Sequence, residues 1–124
     1  MKTEKQLQIR YSIFESLADL PAEAQTLMAE AVAARHNAYA PYSKFKVGAA
    51  VLVGNGKIFI GSNQENAAFP SGLCAERVAI YQASTQCPDE VIKMIAISGT
   101  AEDPTGQPVS PCGACRQSLS EYET

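Results

Sequence analysis

The chain has 124 residues, of which 46% are hydrophobic and 19% charged, and a net charge of −3. We expect one domain over residues 1–124, because this length suits one compact core and the composition excludes extensive disorder. The ten lysines and arginines are scattered rather than gathered in a stripe, which disfavours a nucleic acid polymer as partner. No apolar run follows Met1, so we predict a cytoplasmic protein without a membrane span.

The front of the chain is expected to be helical. Residues 9–37 lack glycine and carry apolar residues at helical spacing. Pro21 is a natural first residue for a second helix in this stretch. The predicted inner face of that helix includes Leu27, Ala31 and Val32.

The next segment predicts a β-hairpin. Residues 47–53 are apolar and include strand-forming valines, so we expect a short buried strand, which ends in the turn sequence Gly54-Asn55-Gly56. Residues 57–62 return as the second strand. The elements that follow are a helix over 74–83 stopping near Cys87-Pro88, a strand over 91–98, a polar loop with Pro104, Gly106 and Pro108, and a helix over 112–122.

Strand–helix–strand units of this length indicate an α/β fold. We expect a mixed sheet, with antiparallel pairing in the hairpin and parallel pairing at the other end. Helices should cover both faces of the sheet, which makes three layers.

Three of the four cysteines fall in two tight local motifs, which favours a metal site over disulfides in a reducing compartment. Cys112 and Cys115 are three residues apart, so at the start of a helix their sulfurs share one face and can chelate one ion. Cys74 would supply a third thiolate. If both motifs begin helices, two helix N-termini point at the metal and favour the thiolates.

The predicted site keeps one coordination position open. Cys87 is the only other thiol, and a helix after Cys74 would place it roughly 20 Å away along the axis. A three-ligand zinc with a free position is the catalytic pattern, because water bound there is acidified. Glu76 follows Cys74 by two positions and can move that water's protons, while Arg77 and Arg116 are expected to hydrogen-bond the sulfurs.

Two other interpretations of these cysteines have less support from the sequence. A structural zinc knuckle usually has two Cys-x-x-Cys pairs, whereas this chain has one pair and a Cys-x-Glu. A redox pair at Cys112 and Cys115 would leave Cys74 and Glu76 without a role. His36, the single histidine, is interpreted as structural.

With these motifs the sequence resembles the cytidine deaminase family, in the small form whose three zinc ligands are all cysteine. The general deaminase signature has His or Cys, then Glu, then Pro-Cys-x-x-Cys. The resemblance spans four blocks in order, at residues 40–50, 63–69, 74–77 and 110–117. It implies a three-layer cytidine deaminase-like fold and one Zn²⁺ per chain.

The resemblance also implies a reaction and further site residues. The expected activity is hydrolytic deamination of cytidine and deoxycytidine in pyrimidine salvage, by a homotetramer with sites built across subunit boundaries. Phe45 would pack on the pyrimidine, Asn63 and Glu65 would hold the ribose 3′-hydroxyl, and the Ala75 N–H would bind the base carbonyl. Asn63 and Glu65 are two apart, so on extended backbone both side chains point the same way.

The chain departs from the family pattern in two places. Phe69 stands where tyrosine is common, and the family continues past the last helix into further sheet, whereas this sequence ends at Thr124. Three rival functions stay open: a deaminase of a blasticidin-like cytosine nucleoside, a non-catalytic zinc-binding protein of the same fold, and an editing enzyme acting on RNA or DNA. The acidic balance of the chain weighs against the last.

Overall fold

The structure, a computed structural model, describes residues 1–100 and 108–123. The helix predicted from residue 9 is wrong, because residues 1–14 have no regular secondary structure and only a short 3-10 turn, Leu17–Asp19, precedes the first α-helix. Apolar residues here recur at every second position, and isoleucine and tyrosine are poor helix formers. The pattern therefore has the period of a strand.

The second predicted helix is present as α1, Ala22–Arg35. Pro21 lies at its N-cap, where the missing N–H costs nothing. Leu27 and Ala31 are fully buried as expected, while Val32 is only half-buried. His36 ends the helix at its C-cap.

The hairpin forms where it was predicted. Strand β1, Lys46–Val53, pairs antiparallel with β2, Ile58–Ser62. Gly56 occupies the turn with a φ of 88°, a left-handed conformation that glycine adopts without strain. The side chain of Asn55 accepts a hydrogen bond from the Lys57 N–H at 3.0 Å and closes the turn.

Helix α2, Ala75–Gln86, leads to strand β3, Ile92–Thr100, and the last helix is α3, Gly113–Glu121. The sheet order is β2-β1-β3. Both neighbours of β1 are antiparallel to it, so the parallel pairing that we predicted is absent from the described strands. The unit β2-α2-β3 does have parallel strands, but β1 lies between them and separates them.

Alternate residues of β1 build two cores on opposite faces of the sheet. Ala49, Val51 and Val53 pack with α2, and Leu119 of α3 and Tyr122 at the C-cap of α3 pack on the same side. Ala50 and Leu52 pack with α1 on the other face. This is the expected three-layer α/β arrangement.

A glycine in β1 sets the spacing between α1 and the sheet. A Cβ on Gly48 would lie 2.0 Å from the carbonyl oxygen of Ala31 and 2.5 Å from the backbone nitrogen of Arg35. The helix backbone therefore lies directly on the strand. Arg35 extends past this contact to donate a hydrogen bond to the Ser98 hydroxyl of β3 at 2.8 Å.

Pro104 and Gly106 of the predicted polar loop lie outside the described residues. Across residues 1–100 and 108–123, none of the helices has the length and apolarity that crossing a bilayer requires.

Candidate metal centre and active site

Two helix N-termini meet at one end of the molecule and bring three cysteines together. Cys74 is the N-cap residue of α2, Cys112 is the N-cap residue of α3, and Cys115 lies in the first turn of α3. The three sulfurs lie within 4.8 Å of one another. Sequence reasoning placed these residues at one site, and the structure brings them together.

The position of α2 depends on a close contact with β2. A Cβ on Gly61 would lie 2.5 Å from the carbonyl oxygen of Ala75 and 2.6 Å from the backbone nitrogen of Ala79. Because Gly61 has no side chain, the first turn of α2 lies directly on the strand. Ala75 is fully buried there, and Cys74, the residue before it, is half-buried.

The distance between two of the sulfurs matches the one expected for ligands of a tetrahedral zinc ion. Two thiolates bound tetrahedrally at about 2.3 Å from zinc are separated by about 3.8 Å. The sulfurs of Cys74 and Cys112 are 3.7 Å apart. The three cysteines differ in exposure: Cys115 is fully buried, Cys74 is half-buried and Cys112 is exposed.

Local hydrogen bonds shape the chemistry of these thiols. The Cys115 N–H donates to the sulfur of Cys112 at 3.4 Å, and this bond lowers the pKa of Cys112. Burial raises the pKa of Cys115, and its neighbours Cys112, Cys74 and Glu76 act in the same direction. A divalent cation would replace the proton on the buried thiol and relieve this cost.

The two arginines that follow the motifs behave differently. Arg77 Nη2 donates to the sulfur of Cys74 at 3.6 Å, and the bond to this thiol raises the pKa of the guanidinium. Arg116 instead donates through Nε to the Pro111 carbonyl at 3.0 Å. Arg77 thus contacts the cluster directly, whereas Arg116 braces the backbone that leads into Cys112.

Glu76 lies in the first turn of α2, one residue after Ala75, and is only 4% exposed. A carboxylate is rarely this buried without a partner or a function. Its charge reaches the Cys115 thiol, since it contributes to the raised pKa of that group. Glu76 is therefore a buried carboxyl group close to the cysteine cluster, whose outer member Cys112 is exposed.

A cleft of about 810 Å³ opens beside the cysteine cluster. Asn63, Glu65, Cys74 and Arg77 all line it. Two of the residues expected at the sugar are therefore in the same cleft as one metal ligand. The volume is sufficient for a molecule of nucleoside size.

Asn63 and Glu65 also organise the loop that precedes β1. The Asn63 side chain accepts from the Val47 N–H and donates to the Phe45 carbonyl, both at 2.8 Å. Glu65 Oε1 accepts from the backbone N–H groups of Tyr42 at 3.0 Å and Ser43 at 3.2 Å. Each side chain thus holds protein backbone and also faces the cleft.

Phe45 and Ala75 are not among the residues that line the cleft. The half-buried Phe45 ring packs on β3, where its atoms would lie 2.9 to 3.0 Å from a Cβ on Gly99. The Ala75 N–H belongs to the first turn of α2, where backbone donors have no partner within the helix. Phe69 lines the cleft with its ring 91% exposed.

Sequence reasoning missed Ser43. Its hydroxyl accepts from the Phe45 N–H at 3.0 Å, and its side-chain hydrogen bond to Glu65 is the main cause that lowers the pKa of that carboxyl. Lys44 follows with a left-handed φ of 59°. A serine two residues before its backbone partner is a known turn signal, and it could have identified this role.

A family model for the cytidine and deoxycytidylate deaminase zinc-binding region matches residues 21–124. The chain is 46% identical over 100 residues to a cytidine deaminase of Sporosarcina psychrophila, covering 81% of this chain and 70% of that protein. It is 42% identical over 97 residues to a cytidine deaminase of Halalkalibacterium halodurans, with coverage of 78% and 70%.

The structure is also similar to a solved cytidine deaminase from Burkholderia pseudomallei. The TM-score is 0.70 at 43% sequence identity, over 78% of this chain and 74% of that one. The family suggested by the four sequence blocks is therefore confirmed. This chain belongs to the cytidine and deoxycytidylate deaminase family, and its Cys74, Cys112 and Cys115 form a group that could hold one zinc ion.

Proposed function

We propose that this protein deaminates cytidine and deoxycytidine hydrolytically to uridine and deoxyuridine. The observation that carries the proposal is the three-sulfur cluster, which lies beside the buried carboxylate of Glu76 and borders a cleft of nucleoside size. The family and the curated relatives support the same activity.

Cys74, Cys112 and Cys115 would hold one zinc ion per chain, because their sulfurs are close enough to share one cation. When zinc is bound by three protein ligands, it supplies a nucleophilic water whose pKa is lowered to near neutrality. Arg77 would offset the negative charge of three thiolates through its bond to Cys74. Arg116 would keep the backbone before Cys112 in place through Pro111.

Glu76 would carry the protons. Its carboxylate takes a proton from the attacking water and delivers it to N3 of the cytosine ring as the new C4–O bond forms. The second proton passes through the same carboxyl group to the exocyclic amine. The C4–N bond then breaks and ammonia leaves. Low exposure of Glu76 favours this shuttle, because few waters compete for its protons.

The remaining residues would bind the nucleoside. We assign the ribose 3′-hydroxyl to Asn63 and Glu65, the base carbonyl to the Ala75 N–H and one face of the pyrimidine to Phe45. Glu65 accepts two backbone hydrogen bonds through Oε1 and lines the cleft, where a carboxylate has lone pairs for a further bond from a sugar hydroxyl. Ser43 would act as a positioning residue, since it bonds both Glu65 and the backbone of Phe45.

We also propose that the protein works in the cytoplasm, in pyrimidine salvage, as a homotetramer. A reducing compartment suits three unpaired thiols that must bind a metal. The cleft is open on one side and carries the exposed rings of Tyr42 and Phe69, which a neighbouring subunit could cover.

Measurement of ammonia release from cytidine and deoxycytidine, together with zinc content, tests the proposal. We expect turnover with one zinc per chain, and about a 10²-fold or greater loss of turnover in Glu76→Gln with zinc retained. Glu121→Gln, at an exposed position of α3, is the control and should keep full turnover.

Two results would contradict the assignment. Full activity of Glu76→Gln would remove Glu76 as the proton carrier. Full zinc content without ammonia release from either nucleoside would favour a non-catalytic zinc protein, or, if a blasticidin-type nucleoside is turned over instead, a deaminase of that compound.

A further inference from the structure

The N-terminal residues 1–20 lie outside the part of the chain that matches the family model. Within them, the segment 6–14, which we call the arm, alternates polar and apolar side chains. Its apolar members at every second position are Leu7, Ile9, Tyr11 and Ile13. This is the pattern of a strand with one face buried.

The structure does not bury the apolar face that the sequence of the arm predicts. The four apolar side chains are 75 to 86% exposed, and the segment has no regular secondary structure. Residues 101–107 contain no large apolar side chain, only Ala101 and Pro104, and have too little apolar surface to cover four large side chains. A partner for the arm must therefore come from outside this chain's own core.

The sheet offers an edge of matching character. Strand β2 pairs with β1 on one side, and among the described strands it has no neighbour on the other. Ile60, at its centre, is 41% exposed and is the one large apolar side chain in the described strands that is classed as exposed. A further strand along this edge would cover Ile60 and complete the backbone hydrogen bonds of β2.

Charge complementarity favours a second copy of this chain as the molecule whose β2 edge the arm binds. Residues 1–14 carry three cationic side chains, Lys2, Lys5 and Arg10, against one anionic side chain, Glu4, which gives a net charge of +2. The whole chain has a net charge of −3, so the remaining residues carry −5. A basic arm is attracted to the acidic body of another copy.

We propose that the arm of one copy adds as a strand to the outer edge of β2 in a second copy. The apolar face of the arm then packs over Ile60, while Gln8, Arg10 and Ser12 face the opposite side of the sheet. The contact buries surface that neither chain buries alone, and it uses a segment that the deaminase family match does not include. It does not depend on the proposed reaction.

Hydrogen–deuterium exchange of the zinc-loaded full chain tests whether the arm forms a strand. We expect the amides of residues 7–13 to exchange at least about tenfold more slowly than in two disrupting variants, Ile9→Lys/Tyr11→Lys in the arm and Ile60→Lys on the edge. The matched control is Gln8→Lys/Ser12→Lys, which adds the same charge to the polar side of the arm and should keep the protection. Zinc content verifies that each variant is folded.

A mixture of unlabelled and ¹⁵N-labelled chains shows whether the arm binds the β2 edge of its own chain or that of a second copy. With a benzophenone amino acid at position 11, reassembly of the mixture should give cross-links to residues 58–62 that join labelled to unlabelled peptides. Unprotected arm amides in the unaltered protein, equal loss of protection in the control, or cross-links confined to peptides of the same label would each overturn the proposal.

Discussion

The two helix N-termini that carry the cysteines are held in contrasting ways. The start of α2 is buried against β2, where Gly61 allows its backbone to touch the strand and Ala75 and Glu76 are almost completely covered. At the start of α3, Cys112, Gly113 and Ala114 are exposed and Cys115 is buried, while Leu119 near the other end packs against the core. The sheet fixes one half of the metal site, so the other half depends more on the metal itself.

Loss of an α3 ligand should have the largest effect. Cys112→Ala leaves two thiolates, and we expect zinc content to fall from one ion per chain to about one tenth of that or less, with activity falling in parallel. Metal analysis after gel filtration measures this. Cys87→Ala is the matched control, because that thiol lies outside the cluster at the far end of α2, and it should retain its zinc. Native zinc affinity in Cys112→Ala would disprove the ligand set.

Chelation of the metal should affect the two helices differently. We expect amides of α3 to lose protection against hydrogen exchange when zinc is removed, while amides of α2 keep most of theirs, because α2 also packs on the sheet. Equal loss of protection in both helices would show that the contact at Gly61 does not hold α2 independently.

The smallest effect is expected from a pair of matched substitutions. Gly61→Ala places a Cβ about 2.5 Å from the backbone of α2 and should lower the free energy of unfolding by about 1–3 kcal/mol. In Gly113→Ala the new Cβ meets nothing within 4 Å, so stability should be unchanged or rise by up to about 1 kcal/mol. Urea titration of both variants measures the difference. Equal destabilisation would remove the contrast between the two helix starts.

Much of the site could be predicted because most of its residues lie within a few positions of one another in the sequence. Cys112 and Cys115 are neighbours on one helical turn, and Glu76 is tied to Cys74 by two peptide bonds. The approach of α2 to α3 is not local, yet the zinc requirement for three ligands was enough to predict it. The hairpin followed equally directly from Gly54-Asn55-Gly56.

Other features could not be derived because they depend on packing between distant segments. The sheet order, with β1 between two strands that run parallel to each other, reflects which edge β3 joins after α2. The hydrogen bond that the Tyr42 N–H donates to Glu65 joins residues 23 apart, and no local sequence spacing indicates it. The helix wrongly predicted at the N-terminus has a simpler cause, since the two-residue period of residues 7–13 was taken for a helical one.

The contact at Gly48 restricts how this protein can be altered. A library that randomised β1 would retain substitutions at outward positions such as Lys46, yet at position 48 even a methyl group would collide with the α1 backbone. Any larger residue there first requires the whole helix to move away from the sheet. The site of strictest selection in such a library would thus be a residue that takes no part in the chemistry.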